Sequence, residues 1–178
     1  MRKTTKGGGA GRRPGTGNQL RIIGGRWRGR RLRFANVAGL RPTGDRNRET
    51  LFNWLQPVIR GSRCLDLFAG SGALGLEAAS RGAAGVVLVE QAGAAVRCLR
   101  EAVTMLQADA IVSVPAGDAL RYLHGGPREQ APFDIVFLDP PFADDLLGQV
   151  CRLLVEHGWL APGARLYLET DRSRGLPP

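Results

Sequence analysis

Cysteine, histidine and long apolar runs are scarce in this sequence. It has three cysteines and two histidines in 178 residues, and Cys64, Cys98 and Cys151 form no C-x-x-C pair. A disulfide framework or a zinc site is therefore not expected, and a reducing cytosolic compartment fits best. No apolar run approaches the roughly 18 residues of a membrane-spanning helix, and the basic N-terminus lacks the apolar core of a secretory signal. The composition otherwise fits a soluble globular protein with one main domain.

Acidic residues are nearly absent from the first 48 positions. This segment holds 14 of the 25 lysines and arginines but only one of the 16 acidic residues, Asp45. Such a segment is either a solvated tail or a basic surface that binds nucleic acid. The concentration of positive charge at one end of the chain favours nucleic-acid binding. Charge alone does not distinguish RNA, DNA and an anionic membrane. Residues 1–18, rich in glycine and with almost nothing to bury, are predicted to be a disordered basic tail.

A basic β-hairpin is predicted for residues 19–40. In QLRIIGGRWRGRRLRF, two short apolar stretches around Ile22 and Leu32 flank glycines and arginines. A helix is predicted next, starting near Pro42–Asp45 and ending at Pro57. Its helical spacing predicts one buried apolar face, made of Leu51, Phe52, Trp54 and Leu55.

Strand and helix patterns alternate from residue 63 onward. The predicted strands are Arg63–Phe68, Val86–Glu90, Ile111–Pro115, Asp134–Asp139 and Arg165–Glu169. The predicted helices are Ala73–Arg81, Ala92–Gln107, Asp118–Leu123 and Asp144–His157, with Gly82 and Gly158 at C-terminal cap positions. The alternation predicts an α/β fold over residues 41–178, a doubly wound and mostly parallel sheet with helices on both faces. Ligands of such sheets bind outside the carboxyl ends of the strands.

A glycine loop joins the first of these strands to the helix that follows, in CLDLFAGSGALGLEAA. Gly70, Gly72 and Gly75 fit the G-x-G-x-x-G pattern, which lets the backbone turn tightly and approach a nucleotide-like ligand. The pattern alone does not identify that ligand. Asp66 adds information, because a carboxylate beside the loop disfavours the pyrophosphate of NAD. It suits a ligand with a cationic ammonium and sulfonium, such as S-adenosylmethionine.

Two further acidic residues follow the next strands. Glu90, 15 residues after Gly75, can accept hydrogen bonds from ribose hydroxyls. This supports a nucleoside ligand but does not separate NAD from S-adenosylmethionine. Asp118 is placed either to reach an adenine amino group or to cap the helix that it precedes, and both interpretations stay open.

The fourth strand of the alternating region ends in Asp139-Pro140-Pro141-Phe142. Two prolines stop the ladder of the sheet and hold the backbone rigidly. The motif can bind a planar base that has an exocyclic amino group, because it combines a carboxylate acceptor, a rigidly oriented backbone carbonyl and an aromatic ring. Hydrogen bonds from that amine to Asp139 and to the Pro140 carbonyl would orient its lone pair, and Phe142 can stack on the ring.

Together these motifs resemble those of the RsmD family, bacterial class I S-adenosylmethionine-dependent methyltransferases that modify the guanine N2 amine of small-subunit ribosomal RNA. The matching stretches are RIIGGRWRGRRL, LRPTGDRNRETLFNWL, CLDLFAGSGALGLEAASRGA and FDIVFLDPPF, and LLVEHGWLAPGARLYLE agrees in kind. The resemblance implies a Rossmann-like fold, S-adenosylmethionine as cofactor and 16S ribosomal RNA as partner, naked or within a 30S particle. It also implies a cytoplasmic monomer without a metal.

The resemblance also implies the site residues. Those expected to bind the cofactor are Asp66, Phe68, Ala69, Gly70, Ser71, Gly72, Glu90, Gln91, Asp118 and Ala119. Those expected to hold the target guanine and carry catalysis are Asp139, Pro140, Pro141 and Phe142. Those expected to contact RNA are Arg26, Trp27, Arg28, Arg30, Arg31, Arg46 and Arg48, and the helix with Arg46, Arg48 and Asn53 would close over the cofactor. For Trp27, packing on its own hairpin is an equally weighted alternative.

The sequence departs from the family pattern at two places. Gly44 stands where the family commonly has a second threonine, at the start of a helix. The class I sheet usually ends in an antiparallel hairpin, but only TDRSRGLPP follows the last predicted strand. Either the sequence is a truncated product or the sheet stops near five strands, and an exposed last strand would then be an unpaired edge.

Three other functions stay open on the residues alone. The first keeps the fold and changes the target to an adenine N6 or cytosine N4 amine of DNA or RNA, which D-P-P-F also permits. The second is a non-catalytic nucleic-acid-binding protein with a vestigial methyltransferase fold. The third is hydride transfer with NAD, which the glycine pattern permits and Asp66 disfavours.

Overall fold

The computed structural model describes residues 18–37, 44–127, 132–140 and 146–169. At the N-terminal end, strand β1 (Gln19–Arg21) pairs antiparallel with β2 (Arg31–Arg33), and a 3-10 turn at Gly25–Trp27 lies between them. Leu20 and Leu32 face each other across this pair and are buried, so the hairpin turns its apolar side inward. The predicted basic hairpin is confirmed.

Helix α1 (Asp45–Ile59) differs from its prediction in two respects. Pro57 lies inside the last turn instead of ending the helix. A proline removes one backbone donor there, but the buried side chains of Leu55 and Ile59 hold the turn against the core. Trp54 was predicted to be buried and is 74% exposed. On a helix of about 3.6 residues per turn it lies nearly opposite Phe52, which is fully buried.

Five parallel strands form the main sheet, in the order β5-β4-β3-β6-β7. The strands are β3 (Arg63–Asp66), β4 (Gly85–Leu88), β5 (Val112–Ser113), β6 (Phe133–Leu138) and β7 (Leu160–Leu168). The helices between them are α2 (Ala73–Ser80), α3 (Gly93–Met105), α4 (Ala119–His124) and α5 (Leu146–Glu156). The strand order reverses between β3 and β6, which confirms the doubly wound sheet and makes that edge the expected ligand site.

Two apolar cores cover the two faces of the sheet. Phe52 of α1, Leu76 of α2 and Leu99 of α3 belong to one core. Leu123 of α4, Leu154 of α5 and the adjacent Trp159 belong to the other. Gly82 and Gly158 follow α2 and α5 with φ of 101° and 70°, as predicted for C-terminal caps. None of the described helices combines the length and apolar content of a membrane span.

Strand β7 begins at Leu160, five residues before its predicted start at Arg165. Leu160 pairs with Phe133 and Arg165 with Ile135, so the register shifts between these two pairs. Gly163, with φ of 76°, lies in the shifted segment beside Pro162. Both residue types disfavour a regular strand, which explains why the sequence pattern starts it later. Among the described residues β7 forms one edge of the sheet.

Candidate functional site

Four neighbouring strands each carry one acidic residue at the carboxyl end. In the spatial order β4, β3, β6 and β7 these residues are Glu90, Asp66, Asp139 and Glu169. The residues two positions earlier pack against the core that contains α1, α2 and α3; they are Leu88, Cys64, Phe137 and Tyr167. Because side chains alternate along a strand, all four acidic residues project to that side of the sheet. The fold thus brings three predicted site residues together and adds Glu169, which the sequence presented only as the end of a strand.

The glycine loop is organised by its own backbone and by Glu90. Gly70 and Gly72 have φ of 52° and 79°, a left-handed conformation that favours glycine. The carboxylate of Glu90 accepts the N–H of Gly70 at 2.8 Å through Oε2 and the N–H of Ala92 at 2.7 Å through Oε1. Glu90 therefore joins the loop to the start of α3, and each of its oxygens retains capacity for another donor.

Gly75 serves close packing and is not at the ligand-facing surface. A Cβ at this position would lie 2.1 Å from Cδ2 of Leu88 and 3.4 Å from Oδ2 of Asp66. Helix α2 can therefore approach β3 and β4 only with glycine here. The third glycine of the pattern therefore allows the helix to pack closely on the sheet, whereas the first two allow the tight turn of the loop.

Asp66 is the most buried acidic group of this edge. Its side chain is 2% exposed, and Oδ2 accepts the N–H of Gly75 at 3.1 Å. Burial raises its pKa to about 7, the N–H groups of Gly75 and Phe68 oppose the rise, and the negative charges of Asp139 and Glu90 add to it. Because the pKa is higher folded than unfolded, the contribution of Asp66 to stability falls as pH rises from about 4 to about 7. A cation beside Asp66 would offset the free-energy cost of burying its ionised carboxylate.

The family resemblance predicts S-adenosylmethionine as the cofactor, and we expect its binding to strengthen severalfold as pH rises from about 6 to about 8. A cationic ligand favours the charged carboxylate, so binding should release a proton from Asp66 in this range. Calorimetry in two buffers of different ionisation enthalpy measures the affinity and the number of protons released on binding. Asp66→Asn should remove the pH dependence. Equal affinities and no proton release at the two pH values would contradict the assignment.

The remaining predicted cofactor residues lie along the same edge. Glu90 forms a bridge with Ala116, and its carbonyl accepts the N–H of Gly117, which brings the β5–α4 loop beside β4. The carboxylate of Asp118 accepts the N–H of Arg121 at 2.9 Å, so its helix-capping role is confirmed. Its contact with adenine stays a prediction. Ala69, Ser71 and Ala119 are buried, Phe68 and Gly70 are half-buried, and Gln91 is exposed.

Asp139 and Pro140, the first two residues of the D-P-P-F motif, follow β6, which pairs with β7. Asp139 and Pro140 are half-buried, whereas Pro141 and Phe142 lie outside the described residues. The N–H of Glu169 donates to the carbonyl of Leu138 at 2.9 Å, and the hydroxyl of Tyr167 donates to Oε2 of Glu169 at 3.3 Å. The pKa of Tyr167 is raised to about 12, first by burial and then by the charges of Glu169 and Asp139. Tyr167 thus stays a neutral donor near two carboxylates at physiological pH.

A buried polar joint attaches the hairpin to α2. Glu77 is fully buried, and its carboxylate accepts the N–H groups of Ile23 and Gly24, each at 2.8 Å. Nε of Arg81 donates to the same carboxylate at 2.7 Å. The hydroxyl of Ser80 donates to the Gly24 carbonyl at 2.6 Å and accepts the N–H of Trp27 at 3.0 Å. The only signal in the sequence for this joint is a single acidic residue inside the apolar helix ALGLEAAS.

Two of the residues predicted to contact RNA, Arg48 and Trp27, are buried. Arg48 has no exposed surface; its guanidinium donates to Oδ1 of Asp45 at 2.7 Å and to the Arg21 carbonyl at 2.9 Å. It therefore ties α1 to the hairpin and offers no surface to RNA. Trp27 is 8% exposed and lies under the Arg26 guanidinium, 4.0 Å from the ring centroid. Packing on its own hairpin is the interpretation that this geometry supports. The other predicted arginines, Arg26, Arg28, Arg30, Arg31 and Arg46, are exposed.

Gly25→Ala is expected to separate the hairpin from α2. A Cβ at Gly25 would lie 1.9 Å from the Ser80 carbonyl oxygen, a backbone atom that cannot move without shifting the helix. Gly29 is the matched control, because its φ is also positive and nothing lies within 4 Å of its Cβ position. We expect the free energy of unfolding to fall by about 1 kcal/mol in Gly29→Ala and by about 2–3 kcal/mol in Gly25→Ala. Urea unfolding measures the difference, and equal losses would disprove the tight docking.

Known proteins are similar to this chain in both sequence and fold. Residues 20–178 match the family described as Conserved hypothetical protein 95. The Ribosomal RNA small subunit methyltransferase D of Escherichia coli K12 is 50% identical over 89% of this chain and 78% of its own length. The Haemophilus influenzae protein of the same name is 44% identical over 92% and 84%. The solved structure titled "Putative methyltransferase yhhF from Escherichia coli" has a TM-score of 0.83 and 47% identity, over 90% of this chain and 86% of that one. This chain therefore belongs to the RsmD family, whose members share the Rossmann-like methyltransferase fold described above.

Proposed function

We propose that this protein transfers a methyl group from S-adenosylmethionine to the exocyclic N2 amine of a guanine in small-subunit ribosomal RNA. The observation that carries the proposal is the adjacency of two half-sites at the switch point of the sheet. The glycine loop with Asp66 and Glu90 lies at β3 and β4, and Asp139 lies next to it on β6. The names of the relatives support ribosomal RNA as the class of substrate.

The residues of the first half-site suit this cofactor. Gly70 and Gly72 in the left-handed conformation allow the tight turn of the loop, and Asp66 with Glu90 supplies negative charge. Glu90 would accept the ribose hydroxyls through the lone pairs that its backbone contacts leave. The backbone of Phe68–Gly72 would line the methionine end, and Gln91, Asp118 and Ala119 the adenine region. The bound cofactor supplies a methyl group already activated on a sulfonium.

The second half-site would hold and orient the target amine. Asp139 would accept one N–H of the exocyclic amine and the Pro140 carbonyl the other, which aims the nitrogen lone pair at the methyl group. Phe142 would stack on the base, with Pro141 holding the motif rigid. A base inside a helix cannot reach this pocket, so the guanine would leave its stack before the reaction.

RNA would approach over the hairpin and the exposed side of α1. Replacing Arg28 and Arg30 with alanine is expected to weaken RNA binding and to reduce the slope of log K against log salt by about one to two. Arg97→Ala/Arg152→Ala is the matched control, because both arginines are exposed on other helices. Filter binding across a salt titration measures the slope. An unchanged slope in the hairpin variant would exclude these phosphate contacts.

The proposed function is tested by label transfer from tritiated S-adenosylmethionine to small ribosomal subunits that lack the modification. Nucleosides from the digested RNA are then identified by mass spectrometry. We expect N2-methylguanosine as the labelled product. If the label is found in N6-methyladenosine or N4-methylcytidine, the target is an adenine or cytosine amine and not the guanine N2 amine. Cofactor binding without transfer to subunits, naked RNA or DNA would favour a binding protein, and NADH binding without cofactor methyl transfer would restore the hydride-transfer alternative.

A further inference from the structure

Glu169 lies beside Asp139 and has no role in the function proposed so far. It follows β7, whose Leu168 is in register with Leu138 of β6, and its N–H donates to the Leu138 carbonyl. The ladder therefore continues one residue beyond the strands and sets Glu169 opposite Asp139. Neighbouring strands are about 4.8 Å apart. The two carboxylates project from adjacent strands to the same side of the sheet, so both can reach one edge of the same bound base.

The Watson–Crick edge of guanine differs from that of the other amine-bearing bases in a way that this pair can detect. Guanine presents two neighbouring donors, the N2 amine and the N1–H. Adenine and cytosine present an amine beside an unprotonated ring nitrogen, which is an acceptor. A carboxylate facing a ring acceptor has no donor to bind and is repelled by its lone pair.

We propose that Glu169 is a specificity-determining residue that accepts the N1–H of the target guanine while Asp139 accepts the N2 amine. This inference rests on the proposed function and adds to it the reason why guanine is selected among bases with an exocyclic amine. The hydroxyl of Tyr167 holds one oxygen of Glu169 at 3.3 Å and leaves the other for the base. Tyr167 is a positioning residue in this arrangement.

The inference is tested with a base that keeps the target amine but has an acceptor in place of the N1–H donor and an amine in place of the 6-carbonyl. The guanine modified by the unaltered protein is mapped first. Small subunits are then reconstituted with RNA that carries guanine or 2,6-diaminopurine at that position. Both bases have the 2-amino group, but N1 of 2,6-diaminopurine is an acceptor. The measured quantity is the ratio of single-turnover transfer rates for the two bases.

The unaltered protein is expected to prefer guanine by about ten- to a hundredfold, the value of one hydrogen bond to a charged group. Glu169→Gln should lower this ratio about tenfold or more, because the amide can either accept from N1–H or donate to N1. Tyr167→Phe should lower the ratio less. Glu156→Gln, an exposed position at the end of α5, is the control and should keep it.

Each outcome separates this inference from the proposed function. If the unaltered protein forms no N2-methylguanosine, the proposed function fails and this inference with it. If it forms N2-methylguanosine and Glu169→Gln keeps the original ratio, only the role of Glu169 is overturned. A purely structural effect of Glu169→Gln would slow transfer to both bases equally and leave the ratio unchanged, which also overturns it.

Discussion

Asp139→Ala is expected to lower the rate of methyl transfer by about 10²- to 10⁴-fold, the range typical for a group that orients or deprotonates a nucleophile. Alanine removes the acceptor for the target amine, so its lone pair would no longer be localised and aimed. Asp139 lies outside the glycine loop and its Glu90 contacts. Loss of the Asp139 charge should lower the pKa of Asp66 and change the affinity for S-adenosylmethionine only modestly, whereas the large loss should appear in the rate constant of the chemical step.

The measurement is single-turnover label transfer to subunits that lack the modification, with cofactor affinity determined by calorimetry. Asp134→Asn is the matched control. Asp134 lies at the other end of β6, where Oδ2 accepts the N–H of Arg63 at 2.7 Å, an acceptor role that asparagine keeps. Transfer at an undiminished rate by Asp139→Ala would remove Asp139 from the mechanism, whatever the behaviour of the control.

Glu77→Ala is expected to lower the free energy of unfolding by about 3–5 kcal/mol, as removal of one partner from a buried ion pair does. The change leaves the N–H groups of Ile23 and Gly24 without their acceptor and Arg81 without its partner. The hairpin should then separate from α2 and the core residues Ile22 and Trp27 should become accessible. Protein that remains folded should still bind RNA through its arginines but transfer methyl groups slowly, because the RNA is no longer held in register with the cofactor loop.

Urea unfolding and hydrogen exchange at the hairpin measure these effects. Glu101→Ala provides the control, since Glu101 is an exposed glutamate on α3. Surface substitutions of this kind change stability by about 0.5 kcal/mol or less. A loss in Glu77→Ala no larger than in Glu101→Ala would mean that the joint contributes nothing to docking. Stability loss with protected hairpin amides would contradict the proposed separation.

Local sequence patterns predicted the elements of the sheet because each depends on neighbouring residues. Apolar strands such as FDIVFL and the glycines after α2 and α5 are recognisable within a few positions. The errors lie where a distant contact outweighs a local preference. Pro57 stays inside α1 because Leu55 and Ile59 are buried against the sheet, and β7 extends past Pro162 because β6 offers it a partner.

The site was predictable to the extent that parallel strands align their carboxyl ends. Asp66, Glu90 and Asp139 could be expected at one edge once the strands were recognised. The order of the strands could not, because it is decided by packing between segments far apart in sequence. That order sets Glu169 next to Asp139 rather than beside Asp66. Glu169 therefore became a candidate for the target site only in the folded chain.

The α/β class, the glycine loop and the D-P-P-F motif are all readable from short stretches of sequence, since each has a local physical cause. Which charged side chains remain exposed to solvent depends instead on how distant segments pack together. Arg48 looks like a surface residue of an amphipathic helix and Glu77 is a lone acidic residue in an apolar helix, but both are fully buried where the hairpin, α1 and α2 meet. Burial of a charge depends on partners that approach from elsewhere in the chain. This is why the hairpin appears in the sequence as a separate basic segment and in the structure as a part docked against α2.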